Sequence, residues 1–348
     1  MRTRNQYLDL LRAVATVRVV VYHSSGWAAL TIVFPAMSVM FALAGSLMAA
    51  SLDRYGPWAV EKRLHRLLPS LWVLVAVAVP SMLAVGLAWD WQVLLWAFPL
   101  EDPPATGFWL EGLAAMWYLR DFLWLVLLSP LVLPLFRRAP LVSVLVPYVA
   151  LAVITFAGIT PPPVLRDLAL YGGAWLLGFA HHDGMLRLDR RRWWLAGALA
   201  VAGAAWALTH PGPRGLDLND IPLGNALWSA AFILVALGIS PMVRPRRVLT
   251  VLNSRALTIY LWHVPLIVAV ARFAEWAGLP IFGWVGISWR LAVVAALLSV
   301  IVLAVGWIED VAAGRRPTLV PGVAARRIPV SPAPAMPQLR PASDSLPG

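Results

Sequence analysis

Four stretches of the chain set ionisable side chains inside otherwise apolar runs. The first, residues 8–27, contains Asp9, Arg12, Arg18 and His23. Arg12 and His23 are eleven residues apart, about three helical turns. On a helix they share a face within roughly 20° and lie about 16 Å apart along the axis. Asp9 and Arg12, at i and i+3, can pair. An imidazole titrates near neutral pH and suits a general base. An ionisable group inside a bilayer costs on the order of 3 kcal/mol on insertion scales, so a stripe of three asks for a function. The second stretch, EKRLHRLLPS (61–70), sets Arg63 and Arg66 on one face beside Lys62. The planar arginine fork matches phosphate oxygens, although basic residues at a helix end also follow from topology alone. The third, AMWYLRDFLWLV (115–126), carries Trp117, Tyr118 and Asp121. Its aromatics also fit interfacial anchoring, whereas Asp121 falls in the apolar run and needs a partner. The fourth, TIYLWHVPLIV (258–268), carries Tyr260 and His263 two residues before Pro265, and Glu309 closes the last apolar segment in WIED (307–310).

These residues need elements that a bilayer can hold. Of 348 residues 60% are hydrophobic and 13% charged, and the mean hydropathy is +0.75. Soluble domains average nearer half apolar and a quarter charged, so lipid must solvate most of this surface. The 19 tryptophans fit membrane interfaces. The absence of cysteine excludes thiolate nucleophiles, disulfides and zinc-thiolate or iron–sulfur sites. The histidines lack zinc-site spacing, so no metal is expected.

At about 20 residues per crossing, ten segments qualify: 8–28, 31–51, 67–88, 113–136, 140–158, 168–180, 193–209, 222–240, 257–275 and 285–308. The expected fold is all-α, a polytopic membrane bundle of about ten transmembrane helices. Basic residues orient it. Lys62 is the single lysine, and the net charge is +11. Arg2 and Arg4, then Arg54, Lys62, Arg63 and Arg66, then Arg137 and Arg138, then Arg187 and Arg190 to Arg192, then Arg244, Arg246, Arg247 and Arg255 fall on one side. The opposite connections hold Arg166 and Arg214 against Asp90, Glu101, Asp102, Glu111, Asp167, Asp217 and Asp220. By the positive-inside rule both termini are expected in the cytoplasm. The same rule accounts for the basic balance without nucleic acid as a partner. No cleavable signal peptide is expected, because Asp9, Arg12 and Arg18 interrupt the first apolar run. Residues 311–348, rich in Pro, Ala, Ser and Arg, read as a disordered cytoplasmic tail after a transmembrane domain at 1–310.

The motifs together resemble the acyltransferase 3 family of bacterial multi-helix membrane acyltransferases. LDLLRAVA (8–15) continuing to VYH (21–23) is similar to its Arg-x10-His motif, and Arg63 and Arg66, followed by Pro69, to its Arg-x-x-Arg motif. FALAGSLM (41–48), MWYL (116–119), YLWHVP (260–265) and IED (308–310) resemble four further family stretches in the same order. The resemblance covers about 1–310. Leu10 stands where the family usually has Gly and Ala44 where it has Ser, and Arg18 is unusual in the first helix. The resemblance implies transfer of an acyl group, with acetyl the expected one, from acyl-CoA as cosubstrate to a hydroxyl of a glycan, lipid or secondary metabolite. Nothing need stay bound as a cofactor. His23 would be the base, Arg12 would bind the donor or stabilise charge, and Arg63, Arg66 and Lys62 would hold the CoA phosphates. Asp9, Trp117, Tyr118, Asp121, Tyr260, His263 and Glu309 are further candidates. The expected location is the bacterial inner (plasma) membrane, with lipid around the bundle. A transporter or flippase for a lipid or glycan is the alternative, since intramembrane His and Arg serve such proteins too. A glycan polymerase would need a larger outer loop than this chain has.

Overall fold

The computed structural model describes residues 6–187, 189–239, 241–244 and 246–321. In chain order the helices are α1 (Gln6–Ser25), α2 (Ala29–Val33), α3 (Ala36–Tyr55), α4 (Trp58–Ala84), α5 (Gln92–Ala97), α6 (Phe108–Gly112) and α7 (Trp117–Arg138). Then follow α8 (Pro140–Phe156), α9 (Pro163–His182), α10 (Arg190–Thr209), α11 (Pro222–Gly238), α12 (Arg247–Ser254), α13 (Ala256–Trp276), α14 (Gly283–Val305) and α15 (Ile308–Ala312). Among the described residues there is no strand, only an isolated bridge between Gly212 and Gly215. The protein is an all-α membrane helix bundle.

Among the described residues ten helices of 17 residues or more overlap the ten apolar segments. Five segments among the described residues are long and apolar enough to cross a membrane on those grounds alone: Ala29–Tyr55, Trp58–Ala84, Trp117–Arg138, Ala256–Trp276 and Gly283–Val305. Two boundaries move with functional effect. The helix expected from 67 starts at Trp58, so Arg63 and Arg66 are held on the rigid first turns of α4. Gly56, at φ +56°, reverses the chain between α3 and α4 in a region that favours glycine, and Pro57 stands at the helix cap. The helix expected over 168–180 runs from Pro163 to His182, with proline at its first position. His181 and His182, beyond the expected end, therefore close α9.

Helices α3 and α9 form the centre. A methyl group on Gly178 would come within 2.1 Å of the Ala42 carbonyl oxygen, and one on Gly45 within 2.3 Å of the Trp175 carbonyl oxygen. Backbones meet directly, as small residues allow between membrane helices. Phe41, Leu43, Met48 and Phe179 are fully buried around this crossing. Cross-bundle hydrogen bonds pin the neighbours: Trp175 Nε1 donates to Ser129 Oγ (3.1 Å), and Tyr7 Oη to the Ala236 carbonyl (2.9 Å). The segment expected to be tail from 311 keeps contact with the bundle through Thr318, whose hydroxyl donates to Asp310 (2.9 Å) and whose carbonyl accepts from Arg255 (2.5 Å). Residues 322–348 lie outside the described residues.

Candidate active site

The N-terminal half of α1, the C-terminal end of α3 and the start of α4 meet on one face of the bundle, called the inner face here. They enclose a cavity of about 500 Å³ lined by Arg12, Arg54, Arg63, Arg66, Tyr118 and Glu309, among others. This is within the usual range of ligand sites. Four arginines converge on it. Arg63 donates through Nη2 to Ser51 Oγ at 3.4 Å. Glu309 is tied down by α13, accepting at Oε1 from the Thr258 backbone N–H (2.8 Å) and hydroxyl (2.6 Å). It thereby supplies negative charge and a cap at that helix's positive end. Lys62 is not on the cavity wall; its ammonium sits 3.1 Å from the centroid of Tyr55, and Tyr55 is part of the lining. Arg54 belongs to the lining too, although the sequence offered it only as a topology signal.

On the opposite, outer face lies a cavity of about 960 Å³, lined by His23, Arg18, Tyr22, Trp117, Arg120 and Arg214, among others. His23 is exposed into it. Its ring lies edge-on to Tyr22 (centroids 5.3 Å) and tilted against His263 (5.2 Å). Among the described residues His23 makes no hydrogen bond, so its ring nitrogens are available. His263 is 1% exposed; its Nδ1 lies 2.6 Å from the Tyr260 carbonyl, which fixes the proton on Nδ1. Its Nε2 is buried with no hydrogen-bond partner. Trp117 stacks on Tyr171 at 5.3 Å and 19°.

The two cavities approach each other at a seam. A small void of about 20 Å³ between them is walled by Val19, Met37, Met40, Tyr118, Tyr260 and His263, among others. Tyr260 borders all three spaces. Its hydroxyl donates to the Ala115 carbonyl, and its ring meets Tyr118 edge-on at 5.2 Å. Arg12 and His23 thus face different cavities from one helix, on either side of this seam.

Ion pairs brace the outer cavity. Arg120, 1% exposed, donates to Asp102, to Asp121 Oδ1 (2.9 Å) and to Asp167 Oδ2 (2.5 Å). Asp121 therefore finds its partner in the preceding residue and serves the scaffold. Arg214 donates to both oxygens of Asp220 (2.8 and 2.7 Å) and to Tyr22 Oη (2.9 Å), and Tyr22 Oη donates to Asp217 (2.6 Å). These bonds hold the Asp220 carboxyl below its ordinary range. Arg272, paired with Glu111 (3.3 Å), and Arg290, donating to the Ser24 carbonyl (3.2 Å), add two arginines at this face. Asp9 is buried outside both linings, with its carbonyl accepting from Asn253 (2.8 Å). The Arg120 and Arg214 networks escape sequence reasoning because the bonds that close them, from Arg120 to Asp102 and Asp167 and from Tyr22 to Arg214 and Asp217, join residues 18 to 195 positions apart.

A helical membrane bundle with arginines lining one cavity and an open histidine at the other has intramembrane ionisable groups of the kind that mark functional sites in enzymes and transporters alike. The chain belongs to the family Acyl_transf_3, an acyltransferase domain whose model matches residues 5–308. No curated protein and no solved structure matches it. The protein is accordingly a membrane acyltransferase.

Proposed function

We propose that the protein takes an acyl group, acetyl being the expected one, from acyl-CoA held at the inner cavity. It passes that group to a hydroxyl of a glycan, lipid or secondary metabolite in the outer cavity. The observation that carries this reading is the meeting of two cavities at Tyr260, with four arginines on one side and His23 on the other. Arg12, Arg54, Arg63 and Arg66 supply charge and forked donors for CoA phosphates. The thioester end then has to pass Met37, Met40, Tyr118 and Tyr260. Methionine side chains yield readily, so the seam can open without unravelling a helix.

In the chemical step the free imidazole nitrogen of His23 takes the proton of the acceptor hydroxyl. The oxygen attacks the thioester carbonyl, the C–S bond breaks, and the CoA thiolate leaves and regains a proton from the imidazolium. Base catalysis of this kind contributes about 10²–10⁴-fold. The carbonyl oxygen acquires negative charge during attack and needs a donor there. Arg12 is assigned to the donor side.

The test is CoA release from acetyl-CoA by purified protein in nanodiscs, with bacterial glycan and lipid extracts as acceptors. The protein has no cysteine, so a thiol-reactive dye reports free CoA without background from the protein. Acceptor-dependent CoA release is expected. Movement of lipid or glycan between leaflets with no CoA release would sustain the transporter reading instead.

A further inference from the structure

Arg18 is the departure from the family pattern that the acyl-transfer scheme leaves without a task. It sits in the middle of α1, five residues before His23, which is about 7.5 Å along the helix axis. It is 8% exposed and lines the outer cavity. Its Nε donates to the Leu30 carbonyl at 3.0 Å. Its guanidinium carbon lies 4.8 Å from the centroid of Tyr22, a ring itself fixed by Asp217 and Arg214. One nitrogen and the plane of the group are thereby held, and the two terminal nitrogens have no hydrogen-bond partner among the described residues.

The other arginines of this cavity are different. Arg120 is shared by Asp102, Asp121 and Asp167, Arg166 is paired with Asp167, and Arg214 with Asp220 and Asp217. Their charges are answered within the protein. Arg18 makes no ion pair among the described residues; Asp217, the carboxylate whose charge reaches it, is already engaged by Tyr22 and Arg214. A cation withdrawn from water without a paired counter-ion is costly, and an intramembrane cation of this kind points to a functional site.

We infer that Arg18 is a specificity-determining residue that binds an acidic group, carboxylate or phosphate, on the acceptor whose hydroxyl is delivered to His23. This rests on the outer cavity being the acceptor site. The ordered fork and its aromatic support lower the cost of capturing a planar or tetrahedral oxyanion. The bond between Nε and Leu30 serves as the tether that aims the fork.

Binding is measured by titration calorimetry on the full chain in nanodiscs, without acyl-CoA. The probes are methyl β-glucoside, methyl β-glucuronide and methyl β-glucoside 6-phosphate, which share a ring and differ in charge. The expected result is at least tenfold tighter binding of a charged probe than of the glucoside. The phosphate and carboxylate arms show which anion fits. Arg18→Gln retains a donor for Leu30 and removes the charge, so it should bring the charged probes to the affinity of the glucoside. Arg18→Lys retains charge without the fork and should keep part of the preference. Equal binding of all three probes by the wild type, no binding of either charged probe, or a full preference surviving in Arg18→Gln would overturn the inference and leave Arg18 as a structural pin. Because no acyl donor is present, these outcomes are independent of whether acetyl-CoA is consumed.

Discussion

Replacing His23 with glutamine separates the two roles a histidine can have on α1. The ring makes no hydrogen bond among the described residues, and its aromatic contacts there are those with Tyr22 and His263. Two aromatic contacts are worth about 0.5–1.5 kcal/mol each, so His23→Ala should cost about 1–3 kcal/mol of stability. Glutamine fills more of the space, keeps hydrogen-bonding capacity and should cost less. Neither leaves a buried partner unsatisfied, since none is bonded to the ring. The catalytic effect runs on a different scale. Loss of a general base lowers the rate about 10²–10⁴-fold, which is about 2.7–5.4 kcal/mol at 1.36 kcal/mol per decade. The assay is acceptor-dependent CoA release at saturating acetyl-CoA, run beside size-exclusion profiles and thermal unfolding in the same detergent. Both variants should elute as wild type does, and both should lose at least a hundredfold in rate. A glutamine variant with a near wild-type rate would remove His23 from the mechanism and shift attention to His263, 5.2 Å away.

Three other outcomes follow from the geometry. Arg63→Ala and Arg66→Ala should raise the apparent KM for acyl-CoA about tenfold or more while insertion is unchanged, with Arg63→Lys only a partial rescue; unchanged KM in both alanine variants would leave the pair as a topology signal. Arg120→Ala should lower stability by about 3–5 kcal/mol, because it strands a fully buried Asp121; a thermal midpoint equal to wild type would show that the carboxylates re-pair elsewhere. Reporter fusions after Ala105, Thr160, Leu216 and Pro280 should all read as external if the ten helices cross with both termini inside, and two cytoplasmic readings would refute that topology.

Apolarity made the helical bundle legible, because a bilayer demands helices of a set length. Helix ends were less so. Charged residues before Leu67 concealed that α4 starts at Trp58, since hydropathy marks the hydrocarbon region and not the helix. Within the site, Arg12, His23, Arg63 and Arg66 stood out as ionisable groups in or beside apolar runs. Their separation into two cavities did not, because a helical wheel gives the face of α1 but not where neighbouring helices close upon it. The wheel put Arg12 and His23 on one stripe; Met37, Met40, Tyr118 and Tyr260 then divide that stripe. Lys62 illustrates the converse. Sequence adjacency to Arg63 suggested a shared task, but one residue is about 100° around a helix, and the ammonium rests on Tyr55 outside the lining.

The seam also bears on how substrate choice is divided along α1. Under the proposed scheme a donor in the inner cavity would meet Arg12 of α1, and an acceptor in the outer cavity would meet α1 from Arg18 onward. Ala15, Thr16 and Val19 lie at the narrow void between them. In the proposed scheme one helix carries donor, junction and acceptor determinants in sequence, neighbouring sets lying within a turn of each other and Val19 bordering both the void and the outer cavity. Changes at Arg18 can alter which acceptor is held without disturbing the arginines around the donor, since no bond links Arg18 to Arg12, Arg63 or Arg66 among the described residues. Changes at Tyr260 cannot be isolated in this way, because its ring borders all three spaces and its hydroxyl ties α13 to the Ala115 carbonyl ahead of α7. The proposed scheme thus puts adaptability in the first helix and the fixed junction between the two substrates in the thirteenth.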